Sequence, residues 1–80
     1  MSKLSFIGIG NMGSAMALGA LKNMSGENIY VSDADQAKAK AFCLEHGTNY
    51  RDSNAELARL GDYIVISVKV FILPGVLEEI

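Results

Sequence analysis

Three glycines, Gly8, Gly10 and Gly13, are the residues of this sequence best placed to do chemistry. They are interleaved with Ile9, Asn11 and Met12. They follow Leu4 to Ile9, an apolar run broken only by Ser5 and Gly8. A run of this kind that stops at a glycine-rich turn suits a buried parallel strand. From Asn11 to about Asn23 the chain is rich in Ala, Met and Leu, which predicts a helix. The start of a helix offers unpaired N–H groups and the positive end of a macrodipole, and so attracts a pyrophosphate. To bring phosphates that close, the backbone must turn sharply. Gly8 permits the turn, Gly10 has no Cβ to block the phosphates, and Gly13 lets the helix pack tightly on the strand. Asn11 and Met12 lie between, with their backbone N–H groups expected to face the ligand. The predicted chemistry is the holding of a dinucleotide.

An acid completes the pattern. Asp33 lies twenty residues past Gly13, after a second β-prone run, Ile29-Tyr30-Val31-Ser32. A carboxylate there accepts hydrogen bonds from the adenosine ribose 2′-OH and repels a 2′-phosphate. Ser32, which ends that run, joins the candidate cofactor-binding residues. The competing role for Asp33 is to cap the second helix, with Asp35 as the alternative cap. Lys38 and Lys40 are expected to be solvated on that helix. A glycine triplet alone is weak evidence. Here it follows a strand, opens a helix and is trailed by an acid, which is the context the fingerprint requires.

These residues need a frame to position them. In the first helix Gly13, Ala17 and Ala20 recur at helical spacing and predict one packed face. Ser25 to Asn28 closes that helix. In the second helix Ala37, Ala41 and Leu44 are expected to line the packed face, with Gly47 as its C-terminal glycine. Thr48 to Arg51 reads as a brief third strand. Ser53 followed by Glu56 reads as a capping box opening a short helix that ends at Gly61. Tyr63 to Val68 is the most β-prone segment, and Phe71 to Ile80 reads as a loop into another helix, with Pro74 in its first turn. The alternation β-α-β-α-β-α-β implies a parallel sheet with helices on its faces.

Composition narrows the function classes. The chain has 80 residues, half of them apolar and a fifth charged, which bounds it to one small globular domain. Its net charge of -2 and scattered Lys and Arg argue against a nucleic-acid footprint or a membrane surface. One cysteine, Cys43, excludes an internal disulfide, and with one histidine, His46, no metal set is expected. No signal peptide or membrane span is read, and a reducing, cytoplasmic location is expected. Cys43, Met12, Met16 and Met24 are expected to fill packing contacts. Tyr30, Tyr50 and Tyr63 are expected to pack the sheet, and His46 to sit favourably at a helix end.

With these residues placed, the chain resembles the pyrroline-5-carboxylate reductases. Phe6-Ile7-Gly8-Ile9-Gly10-Asn11-Met12-Gly13-Ser14-Ala15 is similar to that family's opening. Ile29 to Asp33 is similar to its second strand, Ile66-Ser67-Val68-Lys69 to the segment after its fourth, and Val76 to Ile80 also fits. The resemblance spans the chain, although parts are shared with β-hydroxyacid dehydrogenases. It implies an α/β fold, a Rossmann-type parallel sheet in the order 3-2-1-4 with flanking helices, here incomplete. It implies NADP or NAD as cofactor, with Gly8 to Met12 on the pyrophosphate and Val68 and Lys69 beside the nicotinamide. It also implies the reduction of pyrroline-5-carboxylate to proline.

Departures from the family sharpen the expectation. Family members often carry Arg just after the second strand, where Ala34 stands here, so Asp33 tilts the site toward NAD. Val70 stands where Pro usually follows the Lys, and Ser67 where Ala or Cys is common. The family's helical C-terminal domain, which supplies the substrate pocket, has no counterpart in these residues. Residues 1–80 are therefore expected to form the N-terminal NAD(P)-binding domain, inactive alone, with no catalytic residue assigned. The alternatives are a stand-alone dinucleotide-binding module without turnover, or a β-hydroxyacid or deazaflavin-linked reductase relative. In the order 3-2-1-4 the fourth strand is an edge. Its Ile64-Val65-Ile66 run is expected to drive self-association through that edge or through the C-terminal tail.

Overall fold

The computed structural model describes residues 2–67 and 73–80. Four strands form one parallel sheet: β1 (Leu4–Ile7), β2 (Ile29–Ser32), β3 (Asn49–Tyr50) and β4 (Tyr63–Ile66). Their spatial order is β3-β2-β1-β4, as the family resemblance implied. Four helices accompany them: α1 (Asn11–Leu21), α2 (Gln36–His46), α3 (Asn54–Leu60) and α4 (Leu73–Glu79). The fold is α/β and Rossmann-type. The register pairs Ile7 with Ser32 on one side and with Ile66 on the other. The carboxyl ends of β1, β2 and β4 therefore come level along one edge of the sheet. The Gly8 N–H continues the ladder to the Ser32 carbonyl at 2.8 Å, and the Ser67 N–H continues it to the Ile7 carbonyl at 2.8 Å.

Side chains alternate across this sheet, and each face has its own core. Phe6, Ile29 and Val31 pack with Ile9, Ala17, Ala39 and Cys43, under α1 and α2. Ile7 and Tyr30 point the other way and pack with Leu57 of α3 and Val76 of α4. A strand covered on both faces reads as a nearly continuous apolar run, which is why β1 and β2 were legible as buried strands. The one buried hydroxyl on β1 is satisfied, since Ser5 Oγ donates to the Leu57 carbonyl at 2.7 Å.

Local signals account for most element ends. Ser53 Oγ accepts the Glu56 N–H at 3.2 Å and starts α3. The Glu56 carboxylate meets Arg51 Nε at 3.0 Å. Gly47 ends α2 with φ of 70°, a left-handed position that favours glycine. Pro74 falls in the first turn of α4. A 3-10 turn at Gly26–Asn28 leads into β2, and Asn49 Nδ2 donates to the Glu27 carbonyl at 2.9 Å, tying that turn to β3.

Three expectations need correction. The packed face of α2 is made by Ala39 and Cys43 with half-buried Phe42, whereas Ala37, Ala41 and Leu44 face solvent, Leu44 at 89% exposure. Met12 and Met16 are exposed, and only Met24 packs against the core. Of the tyrosines, Tyr30 is buried and Tyr50 half-buried, but Tyr63 stands exposed on the edge strand. The expected extension of β4 to Val68, and the segment beginning at Phe71, fall partly outside the described residues.

Candidate dinucleotide-binding site

The site is the joint between β1 and α1, at the carboxyl edge of the sheet. Gly8 leaves β1 with φ of 96°, a conformation that residues with a Cβ rarely adopt. Gly13 sits directly behind it. A Cβ on Gly13 would lie 2.5 Å from the Gly8 carbonyl oxygen, which is backbone and cannot swing away. These two glycines let helix and strand touch. Gly10 differs, because a Cβ placed there would meet nothing within 4 Å. Its missing side chain leaves open space outside the loop. The chain's own packing does not require a glycine there.

Gly10 is also the N-cap of α1, and no side chain caps the helix there. The first-turn N–H groups have no intrahelical acceptor, and the dipole adds roughly half a positive charge at this end. Nor does an acidic side chain occupy that first turn. The donor set and the open Gly10 position fit a pyrophosphate. Asn11 and Met12, both exposed, are the residues whose N–H groups belong to this turn.

The loop is held from two sides. Asp33 Oδ2 accepts the Ile9 N–H at 2.7 Å, while its Oδ1 accepts the Asp35 N–H at 2.9 Å. Ser14 Oγ donates to the Ile9 carbonyl at 2.8 Å. Asp33 thus braces the glycine loop against the turn into α2. Capping of α2 falls to Asp35, whose Oδ1 accepts the Lys38 N–H at 3.1 Å. Ser32 is buried, and its hydroxyl meets Asn54 Oδ1 at 2.6 Å, linking the end of β2 to the start of α3. Gly8, Gly10, Asn11, Met12, Gly13, Ser32 and Asp33 therefore gather along one edge. Val68 and Lys69 lie outside the described residues.

Sequence reasoning missed Ser14 as a brace and Asn54 as the partner of Ser32. Ser14 lay inside the quoted motif, but no spacing signals a bond back to Ile9. Asn54 stands 22 positions from Ser32, and only the fold brings them together.

Away from this edge the described residues offer little other chemistry. They hold no group of three or more His, Cys, Asp or Glu suited to a metal ion. None of their helices is long and apolar enough to cross a membrane. Burial pushes the Cys43 thiol above its ordinary value, and neighbouring Thr48 pulls it back only partly. A thiol shifted that way is a poor nucleophile at neutral pH.

Known proteins are similar along this whole length. The pyrroline-5-carboxylate reductase of Methanosarcina acetivorans is 34% identical over 80 residues, covering 98% of this chain and 30% of that protein. The Escherichia coli protein of the same name is 36% identical over 81 residues, with 98% and 30% covered. A crystal structure of Plasmodium falciparum pyrroline carboxylate reductase with NADP bound matches with a TM-score of 0.72 and 38% identity, covering 98% of this chain and 28% of that one. The chain thus spans about three tenths of the length of the curated relatives it matches. The resemblance to this group, and the expectation of NADP or NAD, agree with these findings. The family described as NADP oxidoreductase, coenzyme F420-dependent, matches residues 3–80, and the chain belongs to that family.

Proposed function

We propose that this chain is the dinucleotide-binding part of a pyrroline-5-carboxylate reductase, with residues 1–80 as its N-terminal domain. The join of β1 to α1 supports the reading: Gly8 turns at φ of 96°, Gly13 packs against its carbonyl, and the uncapped start of α1 at Gly10 is open. Gly8, Gly10, Asn11, Met12 and Gly13 would hold the pyrophosphate, with Ser32 and Asp33 on the adenosine side. The resemblance assigns Val68 and Lys69 to the nicotinamide side. When bound, the nicotinamide supplies or accepts a hydride. The contribution of these residues is to hold and orient it at the carboxyl edge of the sheet, the usual place for ligands in such sheets.

Reduction to proline also needs the imine in reacting contact with the nicotinamide. No residue of this chain is assigned to that task, so the isolated chain is expected to bind without turning over. A cytoplasmic location belongs to the same reading, as does self-association through the β4 edge or the C-terminal tail. Exposed Tyr63 and Ile64 support the edge route. The family's description favours one second reading, in which the hydride partner is coenzyme F420.

Calorimetric titration with NADH, NADPH and AMP, beside a pyrroline-5-carboxylate reduction assay, tests the proposal. Dinucleotide binding without turnover is expected. Failure of every nucleotide to bind would overturn it. Hydride exchange between NADPH and F420 would favour the second reading.

A further inference from the structure

We propose that the Ser14 hydroxyl is a positioning group for the dinucleotide, setting the aim of the glycine-loop N–H groups before the ligand arrives. The inference rests on the dinucleotide reading above and adds a residue to it. Ser14 lies in α1, just past the last glycine of the loop, and it touches the loop twice. Its backbone N–H donates to the Gly10 carbonyl at 2.7 Å, and its Oγ donates to the Ile9 carbonyl at 2.8 Å. The first bond is the ordinary helical one, which any residue but proline makes. The second depends on the side chain. A serine inside a helix usually turns its hydroxyl to a carbonyl three or four residues back. Ser14 reaches past the N-cap Gly10 to Ile9, out of the helix and into the loop.

These two bonds fix what the loop presents. In a trans peptide the carbonyl and the following N–H point in opposite directions. No cis peptide bond occurs among the described residues. Holding the Ile9 and Gly10 carbonyls toward Ser14 therefore turns the Gly10 and Asn11 N–H groups away from it. Asp33 fixes the preceding peptide plane, since its Oδ2 takes the Ile9 N–H at 2.7 Å. Gly10 is where the backbone comes closest to a pyrophosphate in a loop of this kind, and a Cβ there meets nothing within 4 Å. Without the hydroxyl the plane between Ile9 and Gly10 is held only loosely, because glycine restrains its own backbone least. Its donor must then be ordered as the ligand binds, which costs affinity. Alanine is the better helix former, so α1 itself does not call for a serine at this position. The loop does.

The test is calorimetric and stopped-flow binding of NADH and NADPH to the wild-type chain, Ser14→Ala and Ser14→Thr, with urea unfolding of each. Alanine removes the hydroxyl and threonine keeps it. Ser14→Ala is expected to bind about three- to tenfold more weakly, through slower association. Its urea midpoint should move little, because the better helix former offsets the lost bond. Ser14→Thr is expected to bind as the wild type does. Wild-type affinity in Ser14→Ala overturns the positioning role and leaves the dinucleotide reading standing. So does a loss that Ser14→Thr shares, or one that vanishes once affinity is corrected for the folded fraction. A loss carried by faster dissociation alone would make the hydroxyl a direct ligand contact and overturns the role too. If the wild type binds neither nucleotide, this inference and the dinucleotide reading fall together.

Discussion

A methyl group added at Gly10 and one added at Gly13 ask different things of the same loop. At Gly10 it enters open space, whereas at Gly13 it strikes the Gly8 carbonyl. Gly10→Ala is therefore expected to fold with a stability loss of about 1 kcal/mol or less, the scale of a changed helix cap. Its affinity for NADH should still fall by about tenfold or more, equivalent to about 1.4 kcal/mol. Gly13→Ala is expected to lose about 1–3 kcal/mol from overpacking, and its nucleotide affinity with it. Urea melts beside calorimetry separate the two, and a Gly10→Ala variant with wild-type affinity would contradict the cradle. Cys43 offers a different test. Its thiol is pushed up by burial, so the folded chain holds that proton more tightly than the unfolded chain does. The stabilisation is complete below the ordinary thiol value of about 8.5 and is lost as pH rises through the folded value. Cys43→Ala should flatten that alkaline decline in stability, read by denaturation at about pH 8 and pH 9.5.

Among the elements, α3 depends most visibly on one short-range contact. Ser53 caps it, and Leu57 carries its packing into the second core. Ser53→Ala is expected to cost about 1 kcal/mol in thermal or urea unfolding, with NADH affinity unchanged. Such caps were legible because they are written within four residues. So was the face of α1, where small Gly13, Ala17 and Ala20 stand out among larger neighbours. The face of α2 was not legible. Exposed Ala37 and Ala41 carry the same side chain as buried Ala39, so the only strong contrast was Leu44, and it points to solvent. Cys43, already read as a packing residue, marked the true face. The brace at Asp33 was hidden for another reason. Its partner at Ile9 is 24 residues away and meets it only once β1 and β2 pair in register.

At the scale of the whole molecule, the strand order places β1 and β2 inside and leaves β3 and β4 outermost. The alternation of elements made the sheet parallel, because parallel neighbours require helical crossovers, and the order itself came from the family resemblance. The short β3 offers little edge, with two residues, while β4 runs for four, and Tyr63 on it is 63% exposed. An apolar edge of this kind invites strand pairing. Velocity sedimentation over a concentration series is expected to show self-association that Ile64→Lys suppresses. A wild-type chain that stays a single monomeric species throughout would remove the edge as an interface. The two cores also predict a division of labour. Substitutions near α1 and α2 reach the glycine loop through Ile9 and Ala17, whereas those beneath α3 and α4 bear on the opposite face.

Ile9 is gripped on its N–H by Asp33 and on its carbonyl by Ser14. A loop fixed this way has its shape before any nucleotide arrives, and little chain entropy remains to be lost on contact. Association is then a single encounter with no slow ordering phase. Differences in affinity among variants that keep both bonds will lie in how long the nucleotide stays, not in how quickly it lands.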